Sequence, residues 1–305
     1  MKHMKGVESP SEAPDTTPEK RRWLFDHPIV AMLAMILFFM VLSNGAILGI
    51  HYAGFDFDGD AKQIVDSIVI AVAAILTAIV FQFHFRKDFD GMFGWSTVGM
   101  LMVLPAFLFV IHNVFDVEKM AFVFTDPAKK MNSIPLCLIM GLAPGIAEEI
   151  VFRGIPCSNW MRVAKDESDV MKCVLFTAII FGFVHGLNAL AGAPIFATVF
   201  QVCYAVAFGI FLAAVFLRSG SIWPTMIVHT LIDFSAFLYM DVDKGGIITE
   251  ELTIDLGFFI TIGLSVFMIL IALIMLRRSK REQILQLWDR KWHKANYINQ
   301  GGYTY

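Results

Sequence analysis

Charge is what this sequence has least of. Only 17% of its 305 residues are Asp, Glu, Lys or Arg, against 57% apolar, and the mean hydropathy is +0.66. A soluble globular domain carries about a quarter charged residues, so the composition excludes one. Basic residues are no more abundant than acidic ones, 24 against 27. They gather in short flanking runs with no broad basic surface, which excludes a nucleic-acid partner. Cysteine is limited to Cys137, Cys157, Cys173 and Cys203, each in or at the edge of an apolar run. A disulfide framework is thereby excluded, and the redox compartment stays unread. The apolar runs are continuous and do not alternate, which excludes a transmembrane β-barrel, and no internal repeat is found. A His-Glu-x-x-His helix, the usual zinc-protease signature, is absent. No serine or cysteine sits at an obvious elbow or helix start with a matching base.

What the chain does have is apolar length, enough for roughly eight crossings of about 20 residues each. Hydropathy places them at 28–50, 63–83, 92–115, 134–157, 171–190, 195–217, 222–240 and 254–276. A helical bundle satisfies every backbone group in lipid. The expected fold is therefore all-α, a polytopic integral membrane bundle of about eight transmembrane helices spanning 28–276. Residues 1–27 are polar and rich in Pro, Ser, Thr and Glu, and read as a disordered tail. The run Pro28–Ile50 is too long for a signal peptide and stays in the membrane. Residues 277–305 are a basic and aromatic tail, which either lies along the headgroups or is a snorkelling, charge-rich end.

Orientation follows from the basic residues. An even number of crossings puts both tails on one side. That side collects Lys20, Arg21, Arg22, Arg86, Lys87, Arg162, Lys165, Arg218, Arg277, Arg278, Lys280 and Arg281. The opposite loops carry Asp56, Asp58, Asp60, Asp241, Asp243, Glu250 and Glu251, with Lys119, Lys129 and Lys130 as the basic exception. Both tails are expected in the cytoplasm.

Ionisable groups at depth cost at least about 2.5 kcal/mol each, and three crossings hold them. The fourth has Glu148, Glu149 and Arg153, the fifth His185, and the seventh His229 and Asp233. At about 1.5 Å per residue, Glu148, His185, His229 and Asp233 fall in one layer roughly 10–21 Å from the basic side. Mutual satisfaction is the simplest reason for such a layer, and it implies a polar chamber inside the bundle. Glu149 and Arg153 are four apart in the order that suits an ion pair, so this pair is read as structural, while Glu148 points about 100° away. His229 and Asp233 share a face, where the carboxylate orients the imidazole or stands beside it. Phe181, one turn before His185, walls the chamber. Gly182 and Gly186 let a helix or an extended peptide approach. Asn44, Asp66, His112 and Gln201 lie towards helix ends or stand alone and are read as interfacial or packing groups.

Two chemistries fit a carboxylate with two imidazoles, and both remain open. A glutamate and a histidine can activate water as general base while the second histidine and a neighbouring donor stabilise an oxyanion. Alternatively, His185, His229 and a carboxylate supply the ligands of a catalytic zinc or another divalent metal.

The segments Glu148-Glu149-Ile150-Val151-Phe152-Arg153-Gly154, Phe181-Gly182-Phe183-Val184-His185, Arg218-Ser219-Gly220-Ser221-Ile222-Trp223-Pro224 and His229-Thr230-Leu231-Ile232-Asp233 together resemble the CPBP family of intramembrane proteases. That family joins CAAX prenyl proteases of the Ras-converting type with bacterial bacteriocin-processing and immunity proteins, the Abi family. All four segments occur in family order across 134–240, which the resemblance marks as the catalytic core. It implies an endopeptidase acting on a membrane-associated or lipid-anchored peptide, in the plasma membrane of a prokaryote. Glu148 and His185 would activate the water, His229 and Asp233 would lie at the oxyanion side, and Glu149 with Arg153 would brace the site. The best-studied members have asparagine where this chain has Asp233. An ionised aspartate cannot donate a hydrogen bond, so Asp233 is either protonated or has another task, such as ligating a metal with Glu148, His185 and His229 or orienting His229. Members are described both as metalloproteases and as metal-free glutamate proteases. A proton- or ion-coupled transporter and a non-catalytic immunity or binding protein are the alternatives, since midplane carboxylates also mark ion pathways.

Overall fold

Apolar runs in a bilayer must satisfy their backbone groups internally, and helices do so within one segment. The protein is described here from a computed structural model covering residues 23–116, 120, 131–240 and 251–293. The helices are α1 (Trp23–Asp26), α2 (Pro28–Tyr52), α3 (Gly59–Phe85), α4 (Thr97–Met102), α5 (Phe107–Val114), α6 (Ile134–Glu149), α7 (Ile155–Val163), α8 (Glu167–His185), α9 (Ile195–Ser219), α10 (Trp223–Phe237), α11 (Leu256–Met275) and α12 (Arg278–Lys291). No strand occurs among the described residues. The protein is an all-α polytopic membrane bundle. Proline sits in the first turn of α2, α6, α7 and α10, where its missing N–H has no intrahelical partner to lose. Gly220, at φ 64°, ends α9 in the left-handed region and allows the tight turn into α10.

Among the described residues, seven segments are long and apolar enough to cross a membrane: Pro28–Tyr52, Gly59–Phe85, Thr97–Val114, Ile134–Val163, Glu167–Ala189, Ile195–Ser219 and Leu256–Met275. The crossing expected at 222–240 is α10, which has 15 residues. At about 1.5 Å per residue it falls short of a hydrocarbon core about 30 Å thick. The shortfall lies at its far end, where residues 238–240 leave the helix in a turn. α10 still runs between the two ends of the bundle. It begins beside the end of α9, and at its far end Asn132 donates to Leu238 O (3.0 Å) and Phe237 O (2.6 Å) at the start of α6. The third expected crossing starts later, at Thr97, and is interrupted by a 3₁₀ turn over Leu104–Ala106 that contains Pro105.

Of the expected tail 1–27, residues 1–22 lie outside the described residues, and Trp23–Asp26 form a helical turn. Lys20, Arg21, Arg22, Lys119, Lys129, Lys130, Asp241, Asp243 and Glu250 also lie outside them.

Three of the cysteines are buried and Cys203 is exposed. Large apolar side chains such as Val41, Phe83, Phe183 and Leu270 face outwards, where hydrocarbon replaces water. Close helix approach depends on small residues. A Cβ on Gly141 would lie 2.7 Å from Phe234 N, and one on Gly145 would strike Thr230 Oγ1, so α6 and α10 meet backbone to backbone. Gly182 of α8 likewise receives Val206 of α9, and Gly209 of α9 lies against Ala178 of α8. Of the two glycines flanking His185, Gly182 therefore serves helix approach.

The C-terminal stretch differs from a loose snorkelling end. As far as His293 it includes α12, which docks across the basic end of the bundle. Trp288 is fully buried and donates to Leu217 O (3.0 Å), and Trp292 donates to Ser158 O (2.9 Å) while stacking on Phe89 at 4.2 Å. Lys291 Nζ donates to Gly91 O (2.8 Å), and Arg218 reaches Gln283 (3.1 Å). Burial lowers the Lys291 ammonium from its ordinary value. α12 thus ties the ends of α3, α7 and α9 together. Its two buried indoles find backbone acceptors, as buried tryptophan requires.

Two substitutions test this frame. Gly145→Leu should prevent α6 and α10 from meeting and yield little folded protein on size-exclusion chromatography in detergent; normal yield and an unchanged thermal midpoint would refute the close contact. Trp288→Ala removes a fully buried ring, at a cost of about 3–5 kcal/mol, and should lower the thermal midpoint by several degrees. No change would mean α12 is not docked.

Candidate active site

The C-terminal end of α6 carries Glu148 and Glu149, and the chain then passes through a π-helical turn over Ile150–Gly154 before α7 begins. Such turns are rare and recur at functional sites. Arg153 lies within this turn, and its Nη1 donates to Glu149 Oε1 at 2.8 Å with both side chains fully buried. The guanidinium also lies over the Phe181 ring, 3.8 Å from its centroid, a cation–π contact that partly replaces lost solvation. Gly209 leaves room for it, since a Cβ there would come within 3.3 Å of Arg153 Nη2.

The same Glu149 oxygen receives a second donor. His229 Nδ1 lies 2.8 Å from Glu149 Oε1, and since a carboxylate oxygen accepts, Nδ1 carries the proton. Nε2 then faces the other two carboxylates, Asp233 Oδ2 at 3.4 Å and Glu148 Oε2 at 3.7 Å. Phe181 and Phe208 approach the imidazole edge-on, at 6.1 and 5.4 Å between centroids. The carboxylate orienting His229 is therefore Glu149 of the neighbouring helix. Asp233, the candidate on its own helix, stands on the opposite nitrogen.

His185 is held differently. Its Nδ1 lies 2.9 Å from Phe181 O, and a carbonyl only accepts, so Nδ1 again carries the proton and Nε2 presents its lone pair. The ring lies 4.7 Å from the Phe181 ring. Phe181 is thus the shared wall of both imidazoles and of Arg153. The structure brings Glu148, Glu149, Arg153, His229 and Asp233 into direct polar contact and joins His185 to them through Phe181.

Exposure divides the carboxylates. The Glu149 side chain is completely covered, whereas those of Glu148 and Asp233 are 28% and 25% exposed. Glu149 and Arg153 form a floor, and Glu148 and Asp233 face open space beside His229. Among the described residues no group of three or more His, Cys, Asp or Glu is arranged to hold a metal ion. Of the set Glu148, His185, His229 and Asp233, three are gathered, with His229 Nε2 facing Glu148 and Asp233, while His185 meets them only through the Phe181 ring, so the four do not surround one point in this arrangement.

The sequence reading missed Phe208. An aromatic residue within a long apolar helix carries no signal beyond packing, and only the crossing of α9 and α10 brings it to His229.

Residues 130–235 match the family model described as Type II CAAX prenyl endopeptidase Rce1-like. The matched segment contains every residue of the cluster. No curated protein and no solved structure matches the chain.

The buried pair yields a stability test. Arg153→Leu leaves Glu149 as a buried carboxylate without its cation, a loss of about 3–5 kcal/mol. A large fall in the thermal midpoint is expected, and Glu149→Leu in the same chain should recover most of it. A midpoint unaffected by Arg153→Leu would contradict the pairing.

Proposed function

We propose that this chain, which belongs through residues 130–235 to the type II CAAX prenyl endopeptidase Rce1-like family, is an intramembrane endopeptidase that hydrolyses a peptide bond in a membrane-associated, prenylated substrate. The family supports a membrane protease of CAAX type; the assignment of chemistry to residues is our reading of the geometry. The observation that carries it is the division of the carboxylates: one glutamate is buried and committed to Arg153 and His229, while its neighbour Glu148 is partly exposed beside His229.

In this reading Glu148 and His185 take the proton of an attacking water. A carboxylate oxygen and a bare imidazole Nε2 are the bases that the hydrogen bonds leave unused. The water oxygen bonds to the scissile carbonyl carbon, whose π electrons move onto oxygen. The proton passes to the leaving amide nitrogen as the carbon–nitrogen bond breaks. His229 and Asp233 line the oxyanion side. A proton on Nε2 lets His229 bond the facing carboxylates, and the same N–H is the donor offered to an oxyanion. Glu149 acts through His229 by fixing its ring, and Arg153 keeps Glu149 in place. No step is routed through a metal.

We also infer orientation. Arg162 pairs with Asp26 at 2.7 Å, Arg278 with Glu167 at 3.6 Å, and Arg218 meets α12. These contacts gather basic residues at one end of the bundle, which supports a cytoplasmic location for that end and for both tails. The substrate would be approached from that side, in a prokaryotic plasma membrane.

The test is hydrolysis of a prenylated CAAX-type peptide by the purified protein. Glu148→Gln and His185→Ala should each lower kcat by about 10²–10⁴-fold, with the folded fraction unchanged. Activity equal to wild type in both variants would dispose of the assigned site. No hydrolysis by the wild type would favour a non-catalytic binding protein on the same scaffold.

A further inference from the structure

Polar side chains are scarce where α8 and α9 continue past the cluster, and two of them meet. Asn188 lies on the 3₁₀ turn Gly186–Ala189 that follows α8, and its Nδ2 donates to Gln201 Oε1 on α9 at 2.9 Å. Both residues are partly buried. Gln201 stands alone in the sequence because its partner comes from another helix.

Both amides lie on the edge that borders the site. Side chains three apart in a 3₁₀ turn eclipse one another. Asn188 therefore stands directly beyond His185, whose backbone already has that geometry (φ −64°, ψ −22°). At about 2.0 Å per residue, the step between them is about 6 Å. On α9, Gln201, Ala205 and Phe208 follow the four- and three-residue spacing of one helical face, and Phe208 meets His229 ring to ring at 5.4 Å. The side of α9 packed on α8 is a different one, marked by Val202 and Val206 against Gly182.

Hydrogen bonds between side chains join helices in lipid, but Gly182 and Gly209 already bring α8 and α9 together. One bond also leaves a primary amide incomplete. Asn188 keeps a second Nδ2 hydrogen and both lone pairs of Oδ1 without a hydrogen-bond partner among the described residues. The Tyr204 hydroxyl lies beside Gln201 and leaves the Asn188 inventory as it is. The bond to Gln201 fixes the direction of the Asn188 amide, and its backbone carbonyl is fixed by Ala191 N at 3.1 Å and Ala193 N at 3.0 Å. A held amide with one N–H and one C=O to offer is the complement of a peptide group. An extended peptide that leaves water must have its N–H and C=O groups met by protein. Such a chain rises about 3.3 Å per residue, so 6 Å along it is about two residues.

We infer that Asn188, oriented by Gln201, is a substrate-binding residue that takes the main chain of the extended peptide about two residues from the scissile bond. What it recognises is peptide backbone, whatever side chain that residue bears. This inference rests on the hydrolytic reading of the site.

The experiment measures kcat and KM for a prenylated CAAX-type peptide with full-length wild type, Glu148→Gln, Asn188→Leu and Asn188→Leu/Gln201→Leu. The double variant replaces both amides by apolar groups of similar shape, so its thermal midpoint should hold. In both Asn188 variants KM should rise about tenfold, the worth of one or two hydrogen bonds, with kcat unchanged. A second arm methylates single backbone nitrogens of the peptide on either side of the scissile bond. With wild type, a methyl group about two residues away should raise KM about tenfold, and with the double variant the same methyl group should make no further difference. A bond that only joins helices produces no such coupling. Should the double variant lose its fold, the coupling is read with Asn188→Leu. Wild-type KM in the folded variants, or methylation effects identical in wild type and variant at every position, overturns the inference, while the hydrolytic reading stands if Glu148→Gln is inactive. Cleavage by Glu148→Gln at the wild-type rate overturns the hydrolytic reading and the inference with it.

Discussion

A single carboxylate oxygen, Glu149 Oε1, takes hydrogen bonds from Arg153 and His229 at 2.8 Å each, with no solvent in reach. Removing a carboxylate and a guanidinium from water costs several kcal/mol per ion, so this pair is a poor source of net stability. What it supplies is geometry. Breaking either partner leaves a buried charge, and the alternatives to the observed arrangement are therefore expensive. His229 inherits that rigidity: its Nδ1 is held from beneath, which leaves Nε2 directed at Glu148 and Asp233.

The bundle is built to bring these groups together. α6 and α10 approach at Gly141 and Gly145, and α8 and α9 at Gly182 and Gly209. In lipid such close backbone contact is a main source of helix association, because no hydrophobic gain separates a helix from hydrocarbon. Phe181 then links the two imidazoles and the guanidinium. At the basic end, α12 binds the ends of α3, α7 and α9, so the helices bearing the π turn and the α9–α10 turn share one clamp.

Much of this was legible in the residues. Seven of the spans follow from apolar length, and the polar layer follows from the cost of charge at depth. Glu149 and Arg153 pair as their four-residue spacing requires. Other features were hidden for physical reasons. Helical periodicity shows which residues share a face of one helix, but not which neighbouring helix that face meets. The residues pair Glu149 with Arg153 but do not show its bond to His229, and they leave Asp233 either orienting His229 or standing beside it; the structure has the second. Glu148 and Glu149, about 100° apart on α6, both reach His229 because they meet opposite nitrogens of its ring, Nε2 and Nδ1. The docking of α12 was masked by its charges, because Trp288 and Trp292 are its buried part and four basic residues lie near its start. α10 was counted as a full crossing because its flanking turn residues are as apolar as its helix.

The central claim is that both imidazoles are held by their Nδ1 protons, His229 on Glu149 and His185 on the Phe181 carbonyl, with Nε2 turned to the reaction. Solid-state NMR of bilayer-embedded protein carrying nitrogen-labelled histidine measures this directly, with assignments from His185→Gln and His229→Gln spectra. The account predicts a protonated Nδ1 at both residues. A bare Nδ1 at His229, or a His185 whose proton sits on Nε2 alone, would contradict it.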